Sequence, residues 1–249
     1  MLEVRILGGI EALRSGSVLA LGPDQRRAVL GVLALEANRP VSLQKITRML
    51  WGGDSPEGAK GSIQAHISRL RSVLFAGGEH REAIETVPGG YRLVLESGRV
   101  DIVRFDELVA RARRAGDSEA RALYSEALRL WRGRPMATAR YLESLSCALQ
   151  EKCLLVYEDS VETRLRLGEA AQLVPELTAM AHEHLHRPRL TGALMKALQS
   201  SGRTAEALHH YDLVRRNLVE QAGLEPGVEL RRLQAAVLRE EDSRQKAHL

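Results

Sequence analysis

Residues 59–74 combine small, hydroxyl, amide and basic side chains without one acidic residue. At 100° of rotation per residue, Ile63, Ile67 and Leu70 fall on one helical face. The opposite face and its flanks carry Lys60, Gly61, Ser62, Gln64, Ala65, Ser68, Arg69, Arg71 and Ser72. Small residues let a helix enter the major groove, arginine and glutamine read base edges, and hydroxyl groups bind phosphates. The pattern therefore predicts a DNA-recognition helix.

The charge of the segment around this helix supports this interpretation, whereas the net charge of the whole chain does not. Residues 41–75 contain five basic and two acidic residues, a local charge of +3. The whole chain carries only +4, and 31 of its 36 basic residues are arginine. Arginine favours phosphate recognition, but a GC-rich genome produces the same bias. The overall charge alone therefore identifies no nucleic-acid binder.

A second motif with possible chemistry is HExxH at residues 182–186. On a continuous helix, His182 and His186 would share a face and bind zinc, with Glu183 as general base. Pro188 ends the helical pattern almost at once, and the segment lies inside a helical repeat. A metalloprotease is thus the weakest of the functional alternatives, and no metal or other cofactor is expected.

Length and composition limit the class of protein. The chain has 249 residues, 44% hydrophobic and 27% charged, as expected for two globular domains. It contains no run of 18 apolar residues, no basic and apolar leader, and only two cysteines, Cys147 and Cys153. We expect a cytoplasmic protein without a transmembrane helix or a disulfide scaffold.

The first 96 residues must position the recognition helix. Alternating Leu2, Val4 and Ile6 predict a strand, and glycines separate two further short strands. Helices are predicted from Pro23, from the N-cap Ser42 and over residues 57–74. Apolar runs around the turn at residues 88–90 predict a hairpin. Short strands, three helices and a hairpin define a winged helix-turn-helix domain over 1–96.

Residues 101–240 show helical periodicity throughout. Gly168 and Gly202 lie 34 residues apart in similar surroundings, and Leu177 aligns with Tyr211. This spacing is typical of tetratricopeptide repeats, which bind peptides or proteins. The predicted fold is therefore mostly α: a winged helix, an all-α tetratricopeptide-like domain over 101–240, and a flexible tail over 241–249.

Motifs along nearly the whole chain resemble the Streptomyces antibiotic regulatory protein family. The N-terminal motifs are PDQRRAVL at 23–30, LWG at 50–52, ISRLR at 67–71 and PGGYRL at 88–93. The C-terminal motifs include ALRLWRG at 127–133, SGR at 201–203 and GLEPG at 223–227. The first set resembles an OmpR/PhoB-type winged helix, and the second resembles a bacterial transcriptional activation domain.

The resemblance implies an activator of secondary-metabolite (antibiotic) gene clusters rather than an enzyme. Members of this family bind direct repeats near the −35 region of promoters as side-by-side homodimers. They contact RNA polymerase holoenzyme, in the region of its sigma factor. The resemblance thus implies a cytoplasmic, nucleoid-associated protein with double-stranded DNA as partner, and a small member lacking ATPase or sensor modules.

The resemblance also assigns roles to individual residues. It places Arg69 where such domains read a base, and Arg92 where an arginine enters the minor groove beside the wing. Ala65 and Ser62 are expected to face thymine methyl groups or phosphates. The remaining contacts are expected to hold the DNA backbone, through Lys60, Gln64, Ser68 and Arg71 of the recognition helix and Lys45, Arg48 and Trp51 of the second helix. Trp51 is equally compatible with a core position.

Two further interpretations stay open. A repressor would use the same DNA-binding domain, because sequence does not distinguish activation from repression. A helical-repeat adaptor would use its N-terminal domain only for packing, and acidic residues on the exposed face of residues 57–74 would have favoured it.

Overall fold

The computed structural model describes residues 1–75, 83–96, 98–137 and 140–247. The strands are β1 (Leu2–Arg5), β2 (Glu11–Arg14), β3 (Ser17–Val18), β4 (Val41–Ser42), β5 (Ile84–Val87) and β6 (Gly90–Leu93). The first helices are α1 (Asp24–Leu35), α2 (Leu43–Trp51), α3 (Ala59–Phe75), α4 (Asp101–Ala112) and α5 (Asp117–Leu128). A 3-10 turn (Arg140–Leu142) precedes α6 (Glu143–Arg166), α7 (Ala170–Glu183), α8 (Pro188–Ser200), α9 (Thr204–Ala222) and α10 (Val228–Ala247).

The N-terminal strands form two small antiparallel sheets around the first three helices. One sheet has the order β1-β2-β3, with Leu2 opposite Arg14. The other has the order β4-β6-β5, so the hairpin β5–β6 is extended by the short strand before α2. Leu2 and Val4 are buried while Glu3 and Arg5 are partly exposed, as the alternating pattern predicts.

Local signals set the bounds of the helices. Pro23 precedes α1, and the Ser42 hydroxyl accepts a hydrogen bond from the Lys45 amide at 3.1 Å, capping α2. Gly52, with φ +67°, ends α2 in a conformation that favours glycine. Arg14 donates to the carbonyl oxygens of Val73 and Leu74 at the C-terminal end of α3. The predicted winged helix with short strands, three helices and a hairpin is confirmed.

After the wing, the start of α4 is hydrogen-bonded to the residues that follow β1 by one buried carboxylate, that of Asp101. Asp101, 8% exposed, accepts hydrogen bonds from the Ile6 and Leu7 amides, each at 2.9 Å. Arg132 donates to the same carboxylate at 3.1 Å. Burial raises the pKa of Asp101, against the opposing effect of these hydrogen bonds and of Arg132. Asp101 thus joins the start of α4 to the N-terminal sheet.

The chain divides into two compact units. One contains residues 1–114 and 122–156, so α4, most of α5 and the first part of α6 belong with the winged helix. The other contains residues 115–121 and extends from Tyr157 through α10. These units differ from the predicted domains 1–96 and 101–240, because packing continues past the wing. Helix α10 reaches Ala247, inside the predicted tail, and residues 248–249 lie outside the described ranges.

The C-terminal unit is a stack of helices with the expected repeat. Gly168 and Gly202 both have positive φ, +80° and +75°, in the turns that precede α7 and α9. Helices α7 and α9 begin 34 residues apart, at Ala170 and Thr204. The buried core includes Leu173, Leu177, Leu190, Leu194 and Tyr211. These features match the predicted tetratricopeptide-like, all-α architecture.

A buried ion cluster holds the start of α8 against α6 in this unit. Glu158 is 4% exposed and accepts from Arg187 at 2.8 Å and from Arg189 at 3.0 Å. Arg189 also bonds Asp159 at 2.8 Å. Because a buried carboxylate is costly without partners, this cluster fixes the corner where α8 begins.

Candidate nucleic-acid interface

Helix α3 has one buried face and one exposed face, as its sequence pattern predicts. Ile63, Ile67 and Leu70 are at most 1% exposed and belong to the core formed with α1 and α2. The exposed positions are Lys60, Gly61, Gln64, Ala65, Ser68, Arg69 and Ser72, and Ser62 and Arg71 are partly buried. Five of the seven recognition-helix residues proposed from the sequence are therefore exposed, and Ser62 and Arg71 are partly buried.

Two basic side chains on this face have no partner among the described residues. The side chains of Arg69 and Lys60 are exposed and make no hydrogen bond or ion pair within those ranges. Gly61 leaves open space beside the helix, since a Cβ there would meet no atom within 4 Å. The Arg69 guanidinium and the Lys60 ammonium group are available for contact, and Gly61 has no side chain to hold a ligand away. Together these residues would let the helix approach a polyanion closely.

Arg71 is bound to the wing rather than free. Its Nε donates to the Ile84 carbonyl oxygen at 2.9 Å, and its Nη2 donates to the Thr86 hydroxyl at 2.8 Å. Its guanidinium lies 5.9 Å from the centre of the Tyr91 ring. In this structure Arg71 fixes strand β5 against α3. No local pattern predicts this contact, because Thr86 lies 15 residues away across the segment 76–82, which is outside the described residues.

Arg92 lies on the wing and has an acidic partner. Arg92 and Glu85 are directly opposite each other in the β5–β6 pair. Two guanidinium nitrogens of Arg92 contact one Glu85 oxygen, at 3.0 Å and 2.5 Å, and both side chains remain partly exposed. An arriving phosphate would therefore compete with Glu85 for Arg92.

Two glycines shape the wing. Gly89, in the turn, has φ +76°, a conformation that favours glycine. Gly90 has no room for a side chain, because a Cβ there would lie 2.0 Å from the Val41 carbonyl oxygen. The hairpin is therefore held close to β4, directly before α2.

The proposed backbone contacts of α2 occupy different environments. Lys45 is exposed but paired with Glu36 at 2.6 Å. The Arg48 side chain is exposed and makes no polar contact within the described residues. Trp51, the last residue of α2, is partly buried. Its exposure is intermediate between that of a core residue and that of an exposed phosphate contact, the two roles compatible with the sequence.

One residue of α3 was missed by the sequence reasoning. His66 Nε2 lies 3.1 Å from the Gln25 side-chain oxygen at the start of α1. Burial, and secondarily Arg26, lowers the pKa of His66. The sequence signal was only that His66 flanks the apolar face; its contact with a residue 41 positions earlier appears only in the fold.

The HExxH residues are not arranged as in a zinc protease. Helix α7 ends at Glu183, so His182 lies on the helix and His186 lies beyond it. The His182 ring lies 5.2 Å from that of His210, whereas the His186 ring lies 6.2 Å from that of His184. The pairing on one helical face that this motif requires is therefore not formed.

Comparison with known proteins defines the class. Residues 16–93 match the family described as "Transcriptional regulatory protein, C terminal", and residues 100–238 match "Bacterial transcriptional activator domain". The chain therefore combines a winged helix with an activator domain, the two domains that these family models describe in bacterial transcriptional regulators. It belongs to the Streptomyces antibiotic regulatory protein family, whose members are transcriptional regulators rather than enzymes.

Individual relatives agree with this assignment. The chain is 32% identical to regulatory protein DnrI of Streptomyces peucetius, over 96% of this chain and 92% of that protein. It is 35% identical to regulatory protein AfsR of Streptomyces griseus, over 97% of this chain but only 25% of AfsR. The solved structure of Mycobacterium tuberculosis EmbR in complex with a low-affinity phosphopeptide has a TM-score of 0.89 at 31% identity, covering 96% of this chain and 65% of that one. The chain thus spans only part of AfsR and of EmbR.

Within the described ranges, no helix has both the length and the apolar character needed to cross a membrane.

Proposed function

We propose that the protein binds double-stranded DNA sequence-specifically through α3 and the β5–β6 wing and activates transcription of a secondary-metabolite gene cluster. The observation that carries this proposal is the exposed face of α3. It bears the side chains of Arg69 and Lys60, which have no partner in the part of the chain that the structure describes, around Gly61 and Ala65. A surface helix serving only solubility would pair its cations with acids, and α3 contains no acid.

In this proposal the residues have distinct roles. Arg69 donates to a guanine edge in the major groove, the commonest specific contact of arginine. Ser62 and Ala65 face phosphates or thymine methyl groups. Arg92 leaves Glu85 and enters the minor groove. Backbone contacts come from Lys60, Gln64, Ser68, Arg71, Lys45, Arg48 and Trp51.

The assembly on DNA is proposed from the family. Two chains bind direct repeats side by side near the −35 region and recruit RNA polymerase holoenzyme through its sigma factor. Such a protein would be cytoplasmic and associated with the nucleoid. A winged helix followed by an activator domain supports this assignment.

The first experiment is the sequencing of genomic DNA fragments that the purified protein retains at about 150 mM salt, where nonspecific binding is weak. Enriched direct repeats, about one helical turn from centre to centre, are expected. Retention without any enriched sequence would contradict specific recognition. It would favour the adaptor alternative if the affinity for the retained fragments fell with salt no more steeply than nonspecific electrostatic binding predicts.

Activation and repression are separated by transcription in vitro from an enriched promoter with purified holoenzyme. We expect added protein to raise transcript yield from that promoter and to leave a promoter lacking the repeats unchanged. A lower yield would assign the same DNA-binding surface to a repressor.

A further inference from the structure

One buried histidine in the C-terminal unit has no hydrogen-bond partner among the described residues. His210, on α9, is 4% exposed, and neither ring nitrogen is hydrogen-bonded within those ranges. Buried polar atoms in proteins are nearly always paired with protein, water or an ion. The proposed DNA-binding function gives His210 no role. Its two unpaired nitrogens therefore need a separate physical explanation.

The nearest aromatic neighbour is a second imidazole oriented by a backbone carbonyl. The His182 ring, on α7, lies 5.2 Å from the His210 ring, centre to centre. His182 Nδ1 lies 2.7 Å from the Thr178 carbonyl oxygen. Because a carbonyl only accepts, Nδ1 carries the proton and Nε2 keeps its lone pair. Metal-binding histidines are typically oriented in this way.

The spacing of the two rings suits one shared ion. With metal–nitrogen bonds of about 2.1 Å and tetrahedral angles, two coordinating imidazole rings have centres roughly 5 Å apart. The observed 5.2 Å agrees with that separation. The two rings are tilted by 49° rather than stacked.

We propose that His182 and His210 form a two-histidine site for a divalent transition-metal ion, linking α7 to α9. Imidazole ligands favour Zn²⁺, Ni²⁺, Cu²⁺ and Co²⁺ over Mg²⁺ or Ca²⁺. Within the described residues, no group of three or more His, Cys, Asp or Glu side chains is arranged to hold a metal. Water completes the coordination shell, so binding is weaker than at a four-ligand structural site.

This site differs from the one suggested by HExxH. That motif would use His182 with His186, which lies beyond the end of α7. The new site uses His182 with a residue 28 positions later, on a different helix. The two possibilities therefore predict opposite effects of substituting His186 and His210.

The test uses the full chain, freed of metal by a chelator that is then removed, with Co²⁺ as a spectroscopic probe and Zn²⁺ in thermal unfolding. We expect one Co²⁺ per chain, seen as a visible absorption band. Zn²⁺ at ten times its Kd should raise the folded-to-unfolded ratio about 11-fold. Mg²⁺ at the same concentration should have no effect.

Matched variants assign the ligands. His182→Gln and His210→Gln should each abolish the Co²⁺ band and the Zn²⁺ stabilisation, whereas His184→Gln and His186→Gln should retain both. His182 is exposed, so His182→Gln should fold normally even if His210→Gln does not. The proposal is overturned if wild type shows no band or stabilisation, if His182→Gln retains them, or if a folded His210→Gln retains them. Loss in His186→Gln would instead indicate the HExxH arrangement.

Discussion

At the scale of single residues, the arginine side chains of α3 and of the wing differ in the contacts that they already make within the protein. Arg69 has no partner within the described residues, whereas Arg71 and Arg92 are bonded to the wing. A free arginine reaches a base without breaking an internal contact. Arg69 is therefore the position at which the loss of one side chain reports most directly on base reading.

Arg69→Ala should weaken binding to the enriched operator by about 1–3 kcal/mol and relax the preference at one base pair. Competition titrations against operators substituted at each position measure both effects. Arg232→Ala, which removes an exposed arginine from α10, is the matched control and should leave affinity unchanged. Equal losses on operator and random DNA would remove Arg69 from base reading and leave it as a phosphate contact.

Gly61→Ala should change stability and DNA affinity in opposite directions. Alanine in a helix interior is more favourable than glycine by about 0.5–1 kcal/mol, and the site has open space. The same methyl group would stand between α3 and the groove and reduce affinity. Urea unfolding and operator titration test the two effects. A more stable variant with wild-type affinity would show that this turn of α3 does not approach DNA closely.

At the scale of elements, the wing and the recognition helix are tied by Arg71. Thr86→Val removes one acceptor of the Arg71 guanidinium at nearly constant volume, whereas Thr86→Ser keeps the hydroxyl. We expect Thr86→Val to lower stability by about 0.5–1.5 kcal/mol and to speed hydrogen exchange in β5. Thr86→Ser should stay close to wild type. Identical exchange in both variants would mean that the contact does not hold the wing.

The contact between the start of α4 and the end of β1 depends on the Asp101 carboxylate, which acts only as a hydrogen-bond acceptor. Asp101→Asn would place an NH2 group against the Ile6 and Leu7 amides, which are themselves donors. We expect a loss of about 2–4 kcal/mol in the free energy of unfolding. Asp106→Asn, on the same helix but exposed, should cost less than about 1 kcal/mol. Similar urea midpoints for the two variants would refute this role of Asp101.

The elements that sequence predicts best are those set by neighbouring residues. Ser42 caps α2, Gly89 turns the hairpin, and apolar spacing orients α3, because each signal lies within a few positions. Asp101 and Arg71 could not be assigned their structural contacts in this way. Asp101 accepts hydrogen bonds from residues 94 and 95 positions away, and Arg71 donates to two oxygen atoms of strand β5 that only the fold brings near.

At the scale of the whole molecule, the sequence predicts the order of the two domains, but it does not predict the residue at which one compact unit ends and the other begins. The motifs place a boundary between 96 and 101, and the family matches end and resume at 93 and 100. The first compact unit continues through α4 to Arg114 and also includes residues 122–156. Apolar periodicity reports which residues are buried, but it does not report which other element buries them.

A fragment ending at residue 96 should therefore be less stable than the same segment in the full chain. It loses Asp101 and Arg132, and with them the partners of the Ile6 and Leu7 amides. We expect faster hydrogen exchange in β1 and β2, corresponding to a stability loss of about 2–4 kcal/mol. Equal protection in fragment and full chain would establish residues 1–96 as an independent folding unit.

The left-handed turns at Gly168 and Gly202 have a consequence for how the length of this chain can change. Helices α7 and α9 start 34 residues apart, each two residues after its glycine. Duplicating or deleting one complete period returns every buried position to its own face. An insertion within a helix that is not close to a whole number of turns rotates apolar side chains into solvent. Over evolutionary time, viable length variants of the helical stack should differ by whole periods, with smaller changes confined to the turns.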